Sequence, residues 1–154
     1  MVSSNSKILN LQSGDTLPQV VRHLNQEKIN LYAEAVGDFN PIHVDEGFAA
    51  QTAFGGTVAH GMLILAYVSE MMTQVFRENW FSAGKLSVRF KAPAHSKDTI
   101  TVSGKVDSAE LENGNLKLVC SMDCHNQRQE TVVTGKAMVK VKPDNQGASV
   151  NVSR

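Results

Sequence analysis

Apolar residues crowd one stretch of the chain more densely than any other. Met62, Leu63, Ile64, Leu65, Ala66, Tyr67 and Val68 are consecutive, and the run continues through Met71, Met72, Val75 and Phe76, interrupted by Ser69, Glu70, Thr73 and Gln74. A helix apolar on nearly every face must be surrounded by protein, and 61–77 is long enough to thread the middle of a domain. It is too short and too punctuated to span a bilayer. After Gly84 the period becomes two: Leu86, Val88 and Phe90 alternate with Lys85, Ser87, Arg89 and Lys91. Ile100, Val102 and Val106 then alternate with Thr99, Thr101, Ser103 and Lys105, and Leu116, Leu118, Cys120, Met122 and Cys124 with Lys117, Ser121 and Asp123. Each pattern predicts a half-buried strand. Asn113-Gly114 between the last two is a hairpin signal, because a two-residue turn matching strand twist needs positive φ at both positions. A further strand is predicted over about 131–142, with Val133, Gly135, Ala137, Val139 and Val141 on one face and Lys136, Lys140 and Lys142 on the other. A weaker one is expected near 16–24, where Pro18 confines it to an edge or to its second half.

These elements predict an α+β domain in which an antiparallel sheet of four or five strands wraps the long central helix. No other element is apolar enough to cover the sheet, so burying the helix against it dries both. The expected organisation is a flexible N-terminal extension over 1–12, one domain over 13–143 and a polar C-terminal tail over 144–154.

Charge narrows the partners. Fifteen basic residues balance fifteen acidic ones, so no global field draws the chain to nucleic acid or an anionic membrane, and neither partner is expected. The opening residues lack a basic start, an apolar core and a small-residue cleavage site, which predicts a cytoplasmic location. Cys120 and Cys124 lie roughly 13 Å apart if the strand rises ~3.3 Å per residue. That is too far for a disulfide and not the close pairing of a zinc site, so two reduced, buried thiols are expected.

The candidate chemistry lies ahead of the central helix. A shorter helix is predicted to start at Asn25 as N-cap with Glu27 in its first turn, to bury Ile29, Tyr32, Ala35 and Val36, and to end at Gly37 in the left-handed conformation. Gly37-Asp38-Phe39-Asn40-Pro41-Ile42-His43 follows. Pro41 biases Asn40 toward extended geometry, so Asp38 and His43 are predicted on an irregular loop outside any ladder. Such a pair alone is weak evidence, since most carboxylates in Asn-Pro turns cap nearby amides. A second unusual element, Ala53-Phe54-Gly55-Gly56-Thr57-Val58-Ala59-His60-Gly61, stands directly before the most apolar helix, and its glycines allow backbone to approach a ligand closely.

Together these residues resemble the MaoC-like (R)-specific enoyl-CoA hydratases of the hotdog fold. The family pattern Gly-Asp-x-Asn-Pro-aliphatic-His is met at Gly37 to His43. Asp45, Phe48-Ala49-Ala50, Val58-Ala59-His60-Gly61-Met62 and Val88-Arg89-Phe90-Lys91-Ala92-Pro93 fall where the family has its further landmarks. The resemblance implies reversible hydration of a trans-2-enoyl thioester to the (R)-3-hydroxyacyl thioester. Coenzyme A or acyl carrier protein would carry the substrate, with no cofactor and no metal. It implies that Asp38 and His43 share one water and that the Gly61 amide, at the positive end of the central helix, receives the enolate oxygen. Ser69 is implied to orient the carboxylate, although a serine inside a buried helix also bonds its own backbone. Asn40, Phe54, His60 and Met62 are expected to contact substrate. For His60 a helix-entry cap is an equal reading, and for Met62, Met71 and Met72 so is core filling. Arg89 and Lys91 suit either coenzyme A phosphates or a solvated strand face. His23, His95 and His125 are expected to be solvated.

Two other readings stay open at this level: a thioesterase on the same fold that uses Asp38 without needing His43, and a non-catalytic acyl-thioester-binding module. A lone sheet of this kind would leave an edge and one flank of the central helix exposed, so a homodimer or a larger assembly of dimers is expected.

Overall fold

The computed structural model describes residues 6–143. In chain order the elements are α1 (Ser6–Leu9), β1 (Val20–His23), α2 (Gln26–Val36), α3 (Pro41–Val44), α4 (Glu46–Ala49), α5 (Gly61–Phe76), α6 (Glu78–Ala83), β2 (Lys85–Phe90), β3 (Thr99–Glu112), β4 (Asn115–His125) and β5 (Thr131–Val141). The strands form one antiparallel sheet in the order β1-β3-β4-β5-β2. The sheet curves around α5, the hotdog arrangement expected from the sequence, and residues from both build a continuous core. On α5 it is Leu63, Ile64, Val68, Met71, Met72 and Phe76 that turn inward. Each such side chain contributes about 1.5–3 kcal/mol by leaving water, so this helix is the main apolar debtor to the sheet.

Local signals act as predicted at several points. Asn25 adopts extended geometry and its side chain accepts from the Lys28 amide, capping α2. Gly37 ends that helix at φ 73°, a value that favours glycine. Asn113 and Gly114 turn the β3–β4 hairpin with φ of 51° and 78°. Of the weak strand near 16–24, only Val20–His23 pairs as a strand, while Thr16 makes an isolated bridge to Lys105.

Other expectations are corrected. The inward face of α2 is Ile29 and Ala33, with Tyr32 partly covered; Val36 is 53% exposed and Ala35 is also exposed. Ala35 lies off the stripe of Ile29 and Ala33, whereas Val36 shares that face and is uncovered where the helix ends. Within the extension expected over 1–12, Ile8 is buried in the core and Leu9 and Leu11 pack against it. Residues 1–5 and the predicted tail over 144–154 lie outside the described residues. Helix α6 was not foreseen, and α5 is not enclosed on all sides. Met62 is 61% exposed and Ala66 is also exposed. Two irregularities interrupt the strict alternation, one near Asp107 and one at Val132. Val132 is an extra residue between the pairs Cys124–Val133 and His125–Thr131, and its carbonyl accepts from the Lys91 amide at 2.8 Å.

Cys120 and Cys124 are free and fully buried. Burial, reinforced by the Asp107 carboxylate, pushes the Cys120 thiol up from 9.0 to about 11. Burial, reinforced by Asp123, pushes Cys124 up to about 12. An acid with a raised folded pKa gives stability that is complete below its unfolded value and is lost as pH rises toward the folded one. The urea midpoint should therefore fall between about pH 9 and pH 11, and a Cys120→Ala/Cys124→Ala variant should lose part of that slope. An alkaline slope identical in the two proteins would refute this.

Candidate active site

The loop after α2 is built from short-range bonds. Asp38 lies just past the helix, its amide donating to the Ala33 carbonyl at 3.1 Å. Its Oδ1 accepts from the Asn40 amide at 3.2 Å, closing a tight turn. Asn40 in turn caps α3, its Oδ1 accepting from the Ile42 amide at 3.2 Å, and Pro41 occupies the first helical position. His43 follows one turn on and is 8% exposed.

The imidazole of His43 is fixed by its partners. Its Nδ1 lies 2.7 Å from the Val58 carbonyl, which can only accept, so Nδ1 carries the proton and neutral Nε2 carries the lone pair. Nε2 lies 4.0 Å from Asp38 Oδ2, too far for a direct hydrogen bond. The gap has the width that a single water about 2.8 Å from each atom would span while donating to both. The backbone under His43 is also held: Gln26 Nε2 donates to its carbonyl at 2.7 Å. Gln26 Oε1 accepts from the Thr57 hydroxyl at 2.6 Å, which also lies 3.0 Å from a Glu46 oxygen and 3.1 Å from the Ser96 hydroxyl.

A cavity of 360 Å³ opens beside this pair. Its wall includes Ile42, His43, Phe54, Ile64, Phe90 and Val132, and Gly61 and Lys91 also border it. Gly61 opens α5, whose N-cap residue His60 makes no side-chain cap bond, so the first amides of the helix and the positive end of its dipole stand at the cavity. A Cβ on Gly61 would come within 2.8 Å of Phe90 Cε1, so a larger residue here would push the Phe90 ring aside.

The residues predicted from sequence are thus distributed unevenly. His43, Phe54 and Gly61 line the cavity. Asp38 reaches His43 from the solvent side, with its side chain 53% exposed. Phe39 beside it is exposed as well. His60 stacks on His43, with ring centroids 3.8 Å apart and planes at 28°. Asn40 shapes the loop rather than the cavity. Met62 and Ser69 are not brought to it: both border a second groove of 570 Å³ beside Trp80 and Leu86. Ser69 Oγ accepts from Trp80 Nε1 at 2.9 Å. It stands eight residues along α5 from Gly61, about 12 Å up the axis, and does not orient Asp38 within this chain.

Sequence reading missed His95 and Val132. His95 is not merely solvated: its Nε2 bonds the Phe54 carbonyl at 2.8 Å, tying down the loop that carries Phe54. Asp98 anchors the His95 turn. Burial opposes its charge, yet the His95 amide, Gln127 and Arg128 together hold its carboxyl below the usual range. The bulge that turns Val132 inward depends on pairing with β4 and left no signal in composition.

Donor atoms of Asp38, His43 and His60 lie within 4.8 Å of one another. Imidazole lone pairs lie in the ring plane, and two rings stacked at 28° direct theirs along nearly parallel planes that do not meet at one ion.

A family model described as a MaoC-like domain matches residues 11–121 of the chain. A 3-hydroxybutyryl-CoA dehydratase of Methylorubrum extorquens is 35% identical over 116 residues, 71% of this chain and 68% of that protein. An (R)-specific enoyl-CoA hydratase of Aeromonas caviae is 30% identical over 74% of this chain and 84% of its own length. The solved (R)-hydratase from A. caviae superposes with a TM-score of 0.75 at 28% identity, covering 86% of this chain and 98% of that one.

The Thr57 hydroxyl serves Gln26, Glu46 and Ser96 at once. Thr57→Val keeps the shape but strands these groups, so stability should fall by about 1–3 kcal/mol. Urea denaturation measures this, and an unchanged midpoint would show that the cluster does not support His43.

Proposed function

The chain belongs to the MaoC-like domain family, and from that premise we propose that it adds water reversibly across trans-2-enoyl thioesters to give (R)-3-hydroxyacyl thioesters. The observation that carries the reading is the 4.0 Å gap between His43 Nε2, an acceptor because Nδ1 is committed to Val58, and Asp38 Oδ2. A water seated there faces two acceptors, His43 Nε2 and Asp38 Oδ2. As its oxygen attacks the β-carbon, the pair takes a proton from it, and one proton is returned to the α-carbon. In between, negative charge gathers on the thioester oxygen. The Gly61 amide at the start of α5 is the donor for that oxygen, and a donor of this kind contributes on the order of 3 kcal/mol in a dry site. Run backwards, the same steps dehydrate the hydroxyacyl thioester, and the reaction needs no metal or cofactor. Lys91 at the cavity rim suits the phosphates of coenzyme A or of an acyl carrier arm. The (R) configuration is supported by the names of relatives such as the A. caviae hydratase at 30% identity.

With crotonyl-CoA, the enoyl absorbance should fall without release of free thiol, and the product should be a single (R) enantiomer by chiral chromatography. Asp38→Asn and His43→Ala should each lower kcat by roughly 10²–10⁴-fold. Thiol release that survives His43→Ala would assign a thioesterase instead, and saturable binding without turnover would assign an acyl-thioester-binding module.

We propose further that the chain works as a homodimer. Strand β2 is a sheet edge, and beside it the groove of Met62, Leu65, Ala66, Trp80, Leu86 and Val88 is largely apolar. Phe81 and Phe90 are 74% and 54% exposed on the neighbouring segments. An apolar edge of this kind is a liability unless another strand covers it. Light scattering should give twice the monomer mass, and Leu65→Arg should shift it toward monomer. A wild-type monomer at micromolar concentration would refute the dimer.

A further inference from the structure

His60 touches both members of the proposed acid/base pair. Its Nε2 donates to the main-chain carbonyl of Asp38 at 2.9 Å, a bond between residues 22 positions apart. Its ring lies against that of His43 at 3.8 Å, and Tyr32 packs on the same ring at 5.0 Å. Its own backbone is the N-cap of α5, so the residue that steadies the pair also begins the helix that presents Gly61.

The choice of histidine here is not explained by folding alone. His60 is 3% exposed and its Nδ1 is buried with no hydrogen-bond partner among the described residues, which is a cost to the folded state. Phenylalanine would fill the same space and stack on His43 without that cost. Glutamine would supply the donor without the flat ring. Of these three side chains, the imidazole alone does both. The hydrogen bonds of Asp38 to Ala33 and Asn40 are local in sequence, spanning the end of α2 and the turn that follows it. His43 is tied to the following segment through Val58. The bond from His60 is the corresponding tie for Asp38, so the 4.0 Å gap is set from both ends by residues 58–60.

We propose that His60 is a positioning residue: by holding the Asp38 main chain and stacking on His43, it fixes the separation at which the two groups share a water. The proposal rests on the hydration reading. It assigns His60 no proton transfer and no contact with the reacting atoms.

The test is a set of variants assayed with crotonyl-CoA. His60→Phe should keep the urea midpoint of the wild type or raise it, lower kcat by roughly 10–100-fold, as a misplacement of about 1 Å does, and leave KM within about twofold. His60→Gln, which restores a donor toward the Asp38 carbonyl, should recover part of the lost kcat. In an Asp38→Asn background, His60→Phe should cost little more, because a residue that acts through Asp38 has nothing left to position. Wild-type kcat in His60→Phe, or an equal loss in both backgrounds, would overturn the proposal. If His60→Phe fails to fold, His60→Gln carries the same cycle with Asp38→Asn and is read in the same way. A wild-type chain that does not hydrate crotonyl-CoA would overturn the hydration reading itself, whereas an active wild type with an equally active His60→Phe would overturn the positioning role alone.

Discussion

The bond from His43 Nδ1 to the Val58 carbonyl is the contact on which the rest of the site depends. At 2.7 Å and in a buried setting, it decides which nitrogen carries the proton, and so turns the lone pair of Nε2 toward Asp38. A net worth of about 1 kcal/mol is typical of such a bond, yet its effect on direction is larger than its effect on stability. In the other neutral tautomer Nε2 would present a proton to the carboxylate, and the two groups would draw together in a direct hydrogen bond instead of sharing a water. The supporting cluster of Gln26, Thr57, Glu46 and Ser96 holds the backbone under the same residue, so ring and main chain are fixed independently.

Helix α5 links this bond to the core. It is buried along one face by the curved sheet and starts beside the cavity. Burial of Phe76, Met71, Met72 and Val68 fixes the axis, and the fixed axis places the amides at Gly61. Phe90 closes the cavity against the bare Cα of Gly61, and Val132 closes it from the sheet. A helix end needs rigid support if it is to stabilise developing charge, and here the support is the hydrophobic core itself.

The opposite face of α5 follows a different logic. Trp80 of α6 donates to Ser69 and walls off a second groove with Leu86 and Val88. This face is apolar, open and adjacent to the edge strand β2, so the residues that sequence resemblance assigned to the reaction, Met62 and Ser69, belong here by placement. One helix thus carries a buried face, an end that meets the cavity and a flank suited to a second copy.

Much of this was legible in the sequence. The apolar run at 62–76 and the switch to period two after Gly84 specify a helix wrapped by a sheet, because burial patterns follow the periods of the two backbones. Asn25, Gly37, Asn40-Pro41 and Asn113-Gly114 act through their own local geometry, so their turns and caps needed no tertiary information. The loop that carries Asp38 and His43 was legible for the same reason, being closed by its own residues, but their pairing was read only from the resemblance to a known family, since carboxylates in Asn-Pro turns are common without chemistry. Only the tertiary structure decided which nitrogen of His43 is free, that His60 stacks on it, that Ser69 faces away and that Val132 bulges inward. Each of these depends on a partner distant in sequence, such as Val58, Asp38, Trp80 or β4, and a pairing across the fold leaves no trace in the spacing of neighbours along the chain.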